Sequence, residues 1–283
     1  MLTGTTKNLG VMGWPIAHSL SPVLQNAAIA KAGLDYVYTS LPVRPEQLAA
    51  AVIGLKALQF RGWNVTIPHK SAIMPLLDAI DEDARIIGAV NTVVNDGGKL
   101  TGYNTDVIGF IQALLDRGFD PAGREVVLLG AGGAARAVVW GLIKAGVKAI
   151  HIGVRSPEKV QPLVDEFQTY GALDVCHWES EPFQQLLGTA DLLVNTTPLG
   201  MTPHLDGMAP VDWSKVKASA FVYDIIYTPA ETRFLREARQ QGHETLNGEA
   251  MLAGQGAAAF QKWTGIQPDL ALMKQELRKA VQS

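Results

Sequence analysis

Residues 126–136 read Val-Val-Leu-Leu-Gly-Ala-Gly-Gly-Ala-Ala-Arg: a short apolar run, a glycine turn and the start of a helical pattern. No other stretch restricts the fold as much. Glycines permit positive φ and let the backbone approach a pyrophosphate closely. The helix beyond offers unpaired N–H groups and the positive end of its dipole. A tight strand-to-helix turn with no ligand would use the same residues. The strand before, the helix after and a second apolar run at 149–154 favour a dinucleotide site. Ala135 stands at the third glycine position of GxGxxG, which that fingerprint allows. The second run ends Val154-Arg155-Ser156-Pro157-Glu158-Lys159. A site for NAD usually carries Asp or Glu there to hold the ribose hydroxyls. Arg155, Ser156 and Lys159 suit a 2′-phosphate instead, and Glu158 falls inside the next helix, so NADP is favoured over NAD. The alternative is a solvated, basic helix start.

The same alternation runs along the whole chain. Candidate strands lie at 9–12, 36–42, 62–65, 90–95, 100–103, 126–129, 149–154, 192–195 and 221–225. Helical patterns lie at 22–32, 45–57, 70–79, 106–117, 133–145, 157–170, 231–241, 250–263 and 269–281. This spacing implies βαβ units and mainly parallel sheets. Pro22, Pro45 and Pro157 mark first helical turns, with Ser156 as a cap and Ser19 or Ser21 capping the first helix. Asn95-Asp96-Gly97-Gly98 reads as a hairpin turn, so its flanking strands pair antiparallel. Asp120-Pro121-Ala122-Gly123-Arg124 reads as a linker. Two domains are expected, one over 1–105 and one reaching 246, and the last helices could pack on either.

Composition excludes several classes. The 283 residues, 47% hydrophobic, can bury a sizeable core, and a net charge of −3 with no basic run argues against a nucleic-acid surface. Cys176 is the only cysteine, so no intrachain disulfide can form and a reducing, cytoplasmic setting is expected. No apolar run approaches bilayer length, and the six histidines show no metal-ligand spacing.

Polar residues gather in Asn64-Val65-Thr66-Ile67-Pro68-His69-Lys70. Val65 and Ile67 look like the buried face of a strand, with Asn64, Thr66 and Lys70 forming a polar row. Lys70 falls in the first turn of its expected helix, where the dipole disfavours a cation. A solvated surface lysine is the bland reading. Asp106 follows Asn104-Thr105 at a helix start, where the dipole favours a carboxylate and an ordinary first-turn acid would also sit. A Lys–Asp pair sheltered from water could shuttle a proton to a substrate hydroxyl while a nicotinamide takes the hydride. In His18-Ser19-Leu20-Ser21-Pro22, two hydroxyls two residues apart could grip a polyhydroxylated ligand. No strand–elbow–helix pattern surrounds them, so a serine nucleophile is a poor reading.

Taken in order, Gly13-Trp14-Pro15-Ile16-Ala17-His18-Ser19-Leu20-Ser21-Pro22, the Asn64–Lys70 stretch, Gly88-Ala89-Val90-Asn91-Thr92 and Gly102-Tyr103-Asn104-Thr105-Asp106-Val107-Ile108-Gly109 resemble the shikimate dehydrogenase family. So do the glycine turn, Asn195-Thr196-Thr197-Pro198-Leu199-Gly200-Met201, Asp224-Ile225-Ile226-Tyr227-Thr228-Pro229 and Met251-Leu252-Ala253-Gly254-Gln255. The resemblance covers nearly the whole chain. It implies a substrate domain over 1–105 plus 247–283, a Rossmann-like NADP domain over 106–246, and an active site in the cleft between them. It implies NADPH-dependent reduction of 3-dehydroshikimate in aromatic amino-acid biosynthesis, by a monomer or homodimer.

By motif match Lys70 and Asp106 become the catalytic pair, though which of them transfers the proton stays open. Ser19, Ser21, Asn64, Thr66, Asn91, Thr105, Tyr227 and Gln255 match substrate-contacting positions. Gly130, Ala131, Gly132, Gly133 and Ala134 match the pyrophosphate turn. Arg155, Ser156 and Lys159 match the 2′-phosphate region, and Thr196, Pro198, Met201 and Gly248 match the rest of the cofactor site. Val154 departs from the Asn that many members carry, removing one hydrogen-bonding group at the adenosine end. The alternatives are an NAD-preferring quinate/shikimate dehydrogenase of the same family and a non-catalytic metabolite-binding regulator.

Overall fold

The computed structural model describes residues 2–282. The chain forms two units, one running through Gly109 and resuming at Ala253, the other spanning Phe110–Leu252.

The first unit holds strands β1 (Lys7–Gly13), β2 (Tyr36–Pro42), β3 (Gly62–Val65), β4 (Ala79–Ile80), β5 (Thr92–Asp96) and β6 (Lys99–Tyr103), in the order β2-β1-β3-β5-β6-β4. β1 pairs parallel with β2 and β3, and β4 with β6; β5 runs antiparallel to β3 and β6. The sheet is therefore mixed, with parallel pairings in the majority. Gly97 and Gly98 turn the β5–β6 hairpin at φ 60° and 95°. That geometry is open to glycine at little cost and matches the twist of the two strands.

Helices α1 (Ser21–Lys31), α2 (Leu48–Ala57) and α3 (Glu82–Ile87) belong to this unit, as does α10 (Leu270–Gln282), which packs on α1. α4 (Asp106–Leu115) and α9 (Glu249–Thr264) each contain a boundary of the two units. Trp263 of α9 is fully buried and donates its indole N–H to the Val93 carbonyl at 2.9 Å. A Cβ at Gly62 would stand 2.3 Å from that indole nitrogen, so only glycine admits the tryptophan.

The second unit is a six-stranded, wholly parallel sheet of β7 (Glu125–Leu129), β8 (Ala149–Val154), β9 (Leu173–His177), β10 (Leu192–Asn195), β11 (Phe221–Asp224) and β12 (Thr245–Leu246). Its order is β9-β8-β7-β10-β11-β12, the doubly wound arrangement whose strand order reverses between the first and fourth strands. Helices α5 (Ala135–Lys144), α6 (Pro157–Phe167), α7 (Glu181–Leu186) and α8 (Arg233–Gln240) make four of the five crossovers, while a loop with a 3-10 turn at Trp213–Lys215 joins β10 to β11. Val126–Leu129 and Leu192–Val194 have no exposed surface, as continuous apolar strands of a sheet covered on both faces should.

Four local expectations are corrected. No helix forms over 70–79: the chain makes turns there, a 3-10 turn at Met74–Leu76 and the short β4. Pro75 and the return of the Lys70 carbonyl to the Val90 N–H hold this segment against the sheet instead. Ile67 is 71% exposed, because β3 ends at Val65 and its alternation ends with it. Neither Ser19 nor Ser21 caps α1: Leu20 occupies the cap position, and the Ser19 hydroxyl accepts the Ser21 N–H at 3.3 Å. Ser156 stands at the start of α6 but its side chain makes no cap bond. Strands β4, β9 and β12 and helices α3 and α7 lie outside the sequence expectations; most are too short for a periodic signal.

Candidate active site

In the first unit a connected polar network lies where β3, β5 and the start of α4 converge. Lys70 Nζ donates to Asp106 Oδ2 at 2.6 Å, with the lysine side chain 23% and the aspartate side chain 11% exposed. The other carboxylate oxygen accepts from Asn91 Nδ2 at 2.8 Å. The orientation of Asn91 is itself determined, since its Oδ1 accepts the Thr105 N–H at 2.8 Å and the Thr92 hydroxyl at 2.9 Å. The amide nitrogen must therefore face Asp106. Asp106 sits in the first turn of α4, where the helix dipole favours its charge, and its N–H is taken by Asn104 Oδ1 at 3.1 Å. Lys70 is not opposed by a helix dipole, because no helix begins there.

Asn64 extends the network. Both its amide hydrogens point inward, to the Asn91 carbonyl and the Thr92 hydroxyl, each at 3.1 Å. Its Oδ1 accepts the Tyr38 hydroxyl at 2.7 Å. Asn64 therefore has only an acceptor lone pair to offer a ligand. Tyr38 is fully buried, burial pushes its phenol well up, and the nearby Ser21 hydroxyl works against that shift. One buried tyrosine thus stands between Ser21 of α1 and Asn64 of β3, bonded to the latter. Thr66 packs its methyl where a Cβ on Gly13 would come within 2.5 Å, which brings the Gly13–Ser21 segment against the Asn64–Lys70 segment. Gln255 lies on α9 and is 8% exposed.

The second unit carries the glycine turn at the carboxyl end of β7, beside the point where strand order reverses. Gly130 has φ +90°, and a Cβ there would stand 2.4 Å from the Thr197 methyl. The fold alone therefore requires glycine at 130. It does not at 133, where a Cβ would meet nothing within 4 Å, and at 132 it would make only ordinary contact with the Thr196 carbonyl. The open space above Gly132 and Gly133, together with Ala134 leaving α5 without a side-chain cap, is what an incoming pyrophosphate needs. Ala131 completes the turn between Gly130 and Gly132.

Arg155 just past the end of β8 and Lys159 in the first turn of α6 are exposed, and neither side chain is paired among the described residues. Ser156 is half-buried beside them. Val154 is buried, at 7% exposure. The Thr196 hydroxyl bonds the Leu129 and Gly130 carbonyls at 3.0 Å each, while Pro198 and Met201 are exposed in the loop after β10. At Gly248 a Cβ would approach the Ile225 carbonyl to 2.0 Å, so packing alone explains that glycine. Tyr227 belongs to this unit, and burial pushes its phenol up. These residues fit a dinucleotide with a charged adenosine end.

Sequence reasoning gave no role to Tyr38, Thr92, Asn195, Asp224 or Thr232, which hold the functional side chains in place. Asn195 and Asp224 lay within the motifs above; nothing local marked Tyr38, whose role comes from a partner 26 positions away.

Three family models match the chain in order: the shikimate dehydrogenase substrate binding domain over 11–93, shikimate/quinate 5-dehydrogenase over 114–200, and the shikimate 5′-dehydrogenase C-terminal domain over 248–278. The shikimate dehydrogenase (NADP(+)) of Geobacter metallireducens is 47% identical over 99% of both chains. Shikimate 5-dehydrogenase of Listeria monocytogenes, solved with shikimate and NAD, is 36% identical with a TM-score of 0.93 over 97% of both chains. The Thermus thermophilus enzyme, solved with NADP(H) and shikimate, is 36% identical with a TM-score of 0.87, covering 97% of this chain and 99% of that one. Among the described residues no helix is long and apolar enough to cross a membrane. A chain with this two-unit architecture, this lysine–aspartate–asparagine network and this extent of likeness belongs to the shikimate dehydrogenase family.

Proposed function

We propose that this protein catalyses the reversible reduction of 3-dehydroshikimate to shikimate with NADPH, a step toward the aromatic amino acids. The observation that carries this reading is the Lys70–Asp106–Asn91 relay, in which both carboxylate oxygens are engaged and the lysine keeps donors to spare. NADPH, when bound, supplies the hydride that the C3 ketone accepts. Gly130–Ala134 and the start of α5 would hold its pyrophosphate, and Arg155, Ser156 and Lys159 its 2′-phosphate. Thr196, Pro198 and Met201 lie on the loop that would line its nicotinamide half.

Lys70 meets the oxygen on which charge develops. Its ammonium has three N–H donors, of which Asp106 takes one, so a second can reach the ketone oxygen and neutralise the forming alkoxide. Asp106 holds that ammonium in place and can accept from the neighbouring hydroxyl of the substrate. Shikimate carries a carboxylate and three ring hydroxyls, so the site needs several neutral donors and acceptors. Ser19, Ser21, Thr66, Thr105, Tyr227 and Gln255 would supply hydroxyls and an amide. Asn64, with both hydrogens committed inward, would accept from a substrate hydroxyl rather than donate.

Initial rates with shikimate and with quinate, each with NADP⁺ and NAD⁺, test the proposal. Fastest turnover is expected for shikimate with NADP⁺. Preference for quinate would overturn the substrate assignment, and preference for NAD⁺ the cofactor assignment.

A further inference from the structure

Three loops leave the carboxyl ends of β7, β10 and β11, and a buried hydrogen-bond chain ties them together. Its centre is Asp224, which has no exposed surface and no part in the proposed chemistry. Its Oδ1 accepts from Asn195 Nδ2 at 3.0 Å and from the Ile226 N–H at 3.1 Å, and its Oδ2 accepts from the Thr232 hydroxyl at 2.6 Å. Asn195 passes the constraint on, with its Oδ1 accepting both the Thr197 N–H at 3.0 Å and the Thr197 hydroxyl at 2.7 Å. The Thr197 hydroxyl in turn accepts the Leu199 N–H at 3.2 Å. The Thr197 methyl rests against Gly130, 2.4 Å from where a Cβ on that residue would be. From one carboxylate the chain reaches the glycine turn through Asn195 and Thr197, the Tyr227 segment through Ile226, and the cap of α8 through Thr232, whose hydroxyl also accepts the Leu235 N–H.

We propose that Asp224 is the positioning residue of the cofactor crevice, setting the Thr196–Leu199 loop against the glycine turn so that Gly130–Ala134 stays shaped for a pyrophosphate. This rests on the NADP-dependent reading given above. Three converging donors call for a group that only accepts, and an ionised carboxylate is such a group. The groups facing it are Asn195, Thr232 and the Ile226 N–H; no cation is among them. Burial consequently pushes the carboxyl up to about 6, and its charge costs stability near neutrality. A residue kept only for packing would do better as an apolar side chain of similar size. A residue kept to aim a loop would not.

The test is Asp224→Asn, with NADPH Kd from fluorescence titration, shikimate KM at saturating NADP⁺, and Tm at neutral pH. The expected result is a Kd for NADPH about ten-fold higher, the scale of a weakened hydrogen bond to a charged group. Shikimate KM, which the Tyr227 segment links to the same chain, should rise clearly less than the NADPH Kd, and Tm should hold or rise. An unchanged Kd would overturn the proposal, as would a Kd loss accompanied by a matching loss of Tm and of shikimate affinity, which is what mere loosening of the fold gives. Should Asp224→Asn not fold, Thr232→Val removes one donor from the same carboxylate, and the same NADPH-specific loss is required of it. Wild-type protein that binds NADPH but does not reduce 3-dehydroshikimate would sink the functional reading; the Kd comparison would still decide the role of Asp224.

Discussion

Asp106 opens α4 and Asp224 ends β11; both are buried carboxylates, and they are solvated by the protein in opposite ways. Asp106 faces a cation and one amide, with the N-terminus of α4 behind it. Asp224 faces an amide, a hydroxyl and a backbone N–H, all neutral. The first arrangement makes a charge pair that can polarise or move a proton. The second makes a rigid acceptor that can only hold its neighbours. Burial alone therefore does not mark a catalytic carboxylate; the charge of its partners and the presence of a spare donor do.

Removing the cation should break the first arrangement outright. Lys70→Ala is expected to lower kcat by roughly two to four orders of magnitude, the range for general acid–base groups, with a smaller change in KM. Steady-state kinetics that showed KM rising while kcat held would reduce Lys70 to a binding residue. A smaller effect is expected in the second unit, where the unpaired cation lies outside the network. Arg155→Ala should weaken NADP⁺ by about ten- to a hundred-fold and NAD⁺ little, as loss of a charge-assisted bond to a phosphate predicts. Equal losses for the two dinucleotides would remove the 2′-phosphate assignment.

The contrast also has a pH signature. The Asp224 carboxyl is raised from 3.8 to about 6, so between those values the folded protein keeps a proton that the unfolded chain has lost. The stabilisation this provides is complete below the unfolded value and is lost as pH rises through the folded one. Across that window wild type should lose up to about 3 kcal/mol relative to Asp224→Asn. Denaturant midpoints of the two proteins at several pH values would show it, and parallel curves would refute it. The smallest effect is expected at the uncharged end of the first network. Tyr38→Phe removes one hydroxyl between Ser21 and Asn64, worth about 1 kcal/mol, and should raise shikimate KM about five-fold without affecting NADP⁺. A rise for both substrates would make Tyr38 a core residue and no more.

Much of this architecture is legible in the chain. The apolar run before Gly130, the Gly97-Gly98 hairpin and the parallel alternation each follow from local chemistry: glycine's freedom at positive φ, and a strand covered on both faces. Lys70 and Asp106 could be singled out as residue types, yet nothing in a separation of 36 positions says that they meet. The expectation of a helix at 70–79 failed for the complementary reason. Its periodic pattern was real, but contacts to β6 and to Val90 offered that segment better partners than its own helix would have.

Sequence by itself determined which residues could accept, donate or carry charge, and where the backbone had to be glycine. Tertiary structure alone decided which of those capacities remained free. Asn64 has two hydrogens on paper and none to spare once Asn91 and Thr92 have taken them. Asp224 is an ordinary acid in the chain and an uncompensated one in the fold, because burial is a property of every residue packed around it. Hydrogen-bonding capacity is a property of a side chain, whereas its availability to a ligand depends on neighbours that only folding brings within 3 Å.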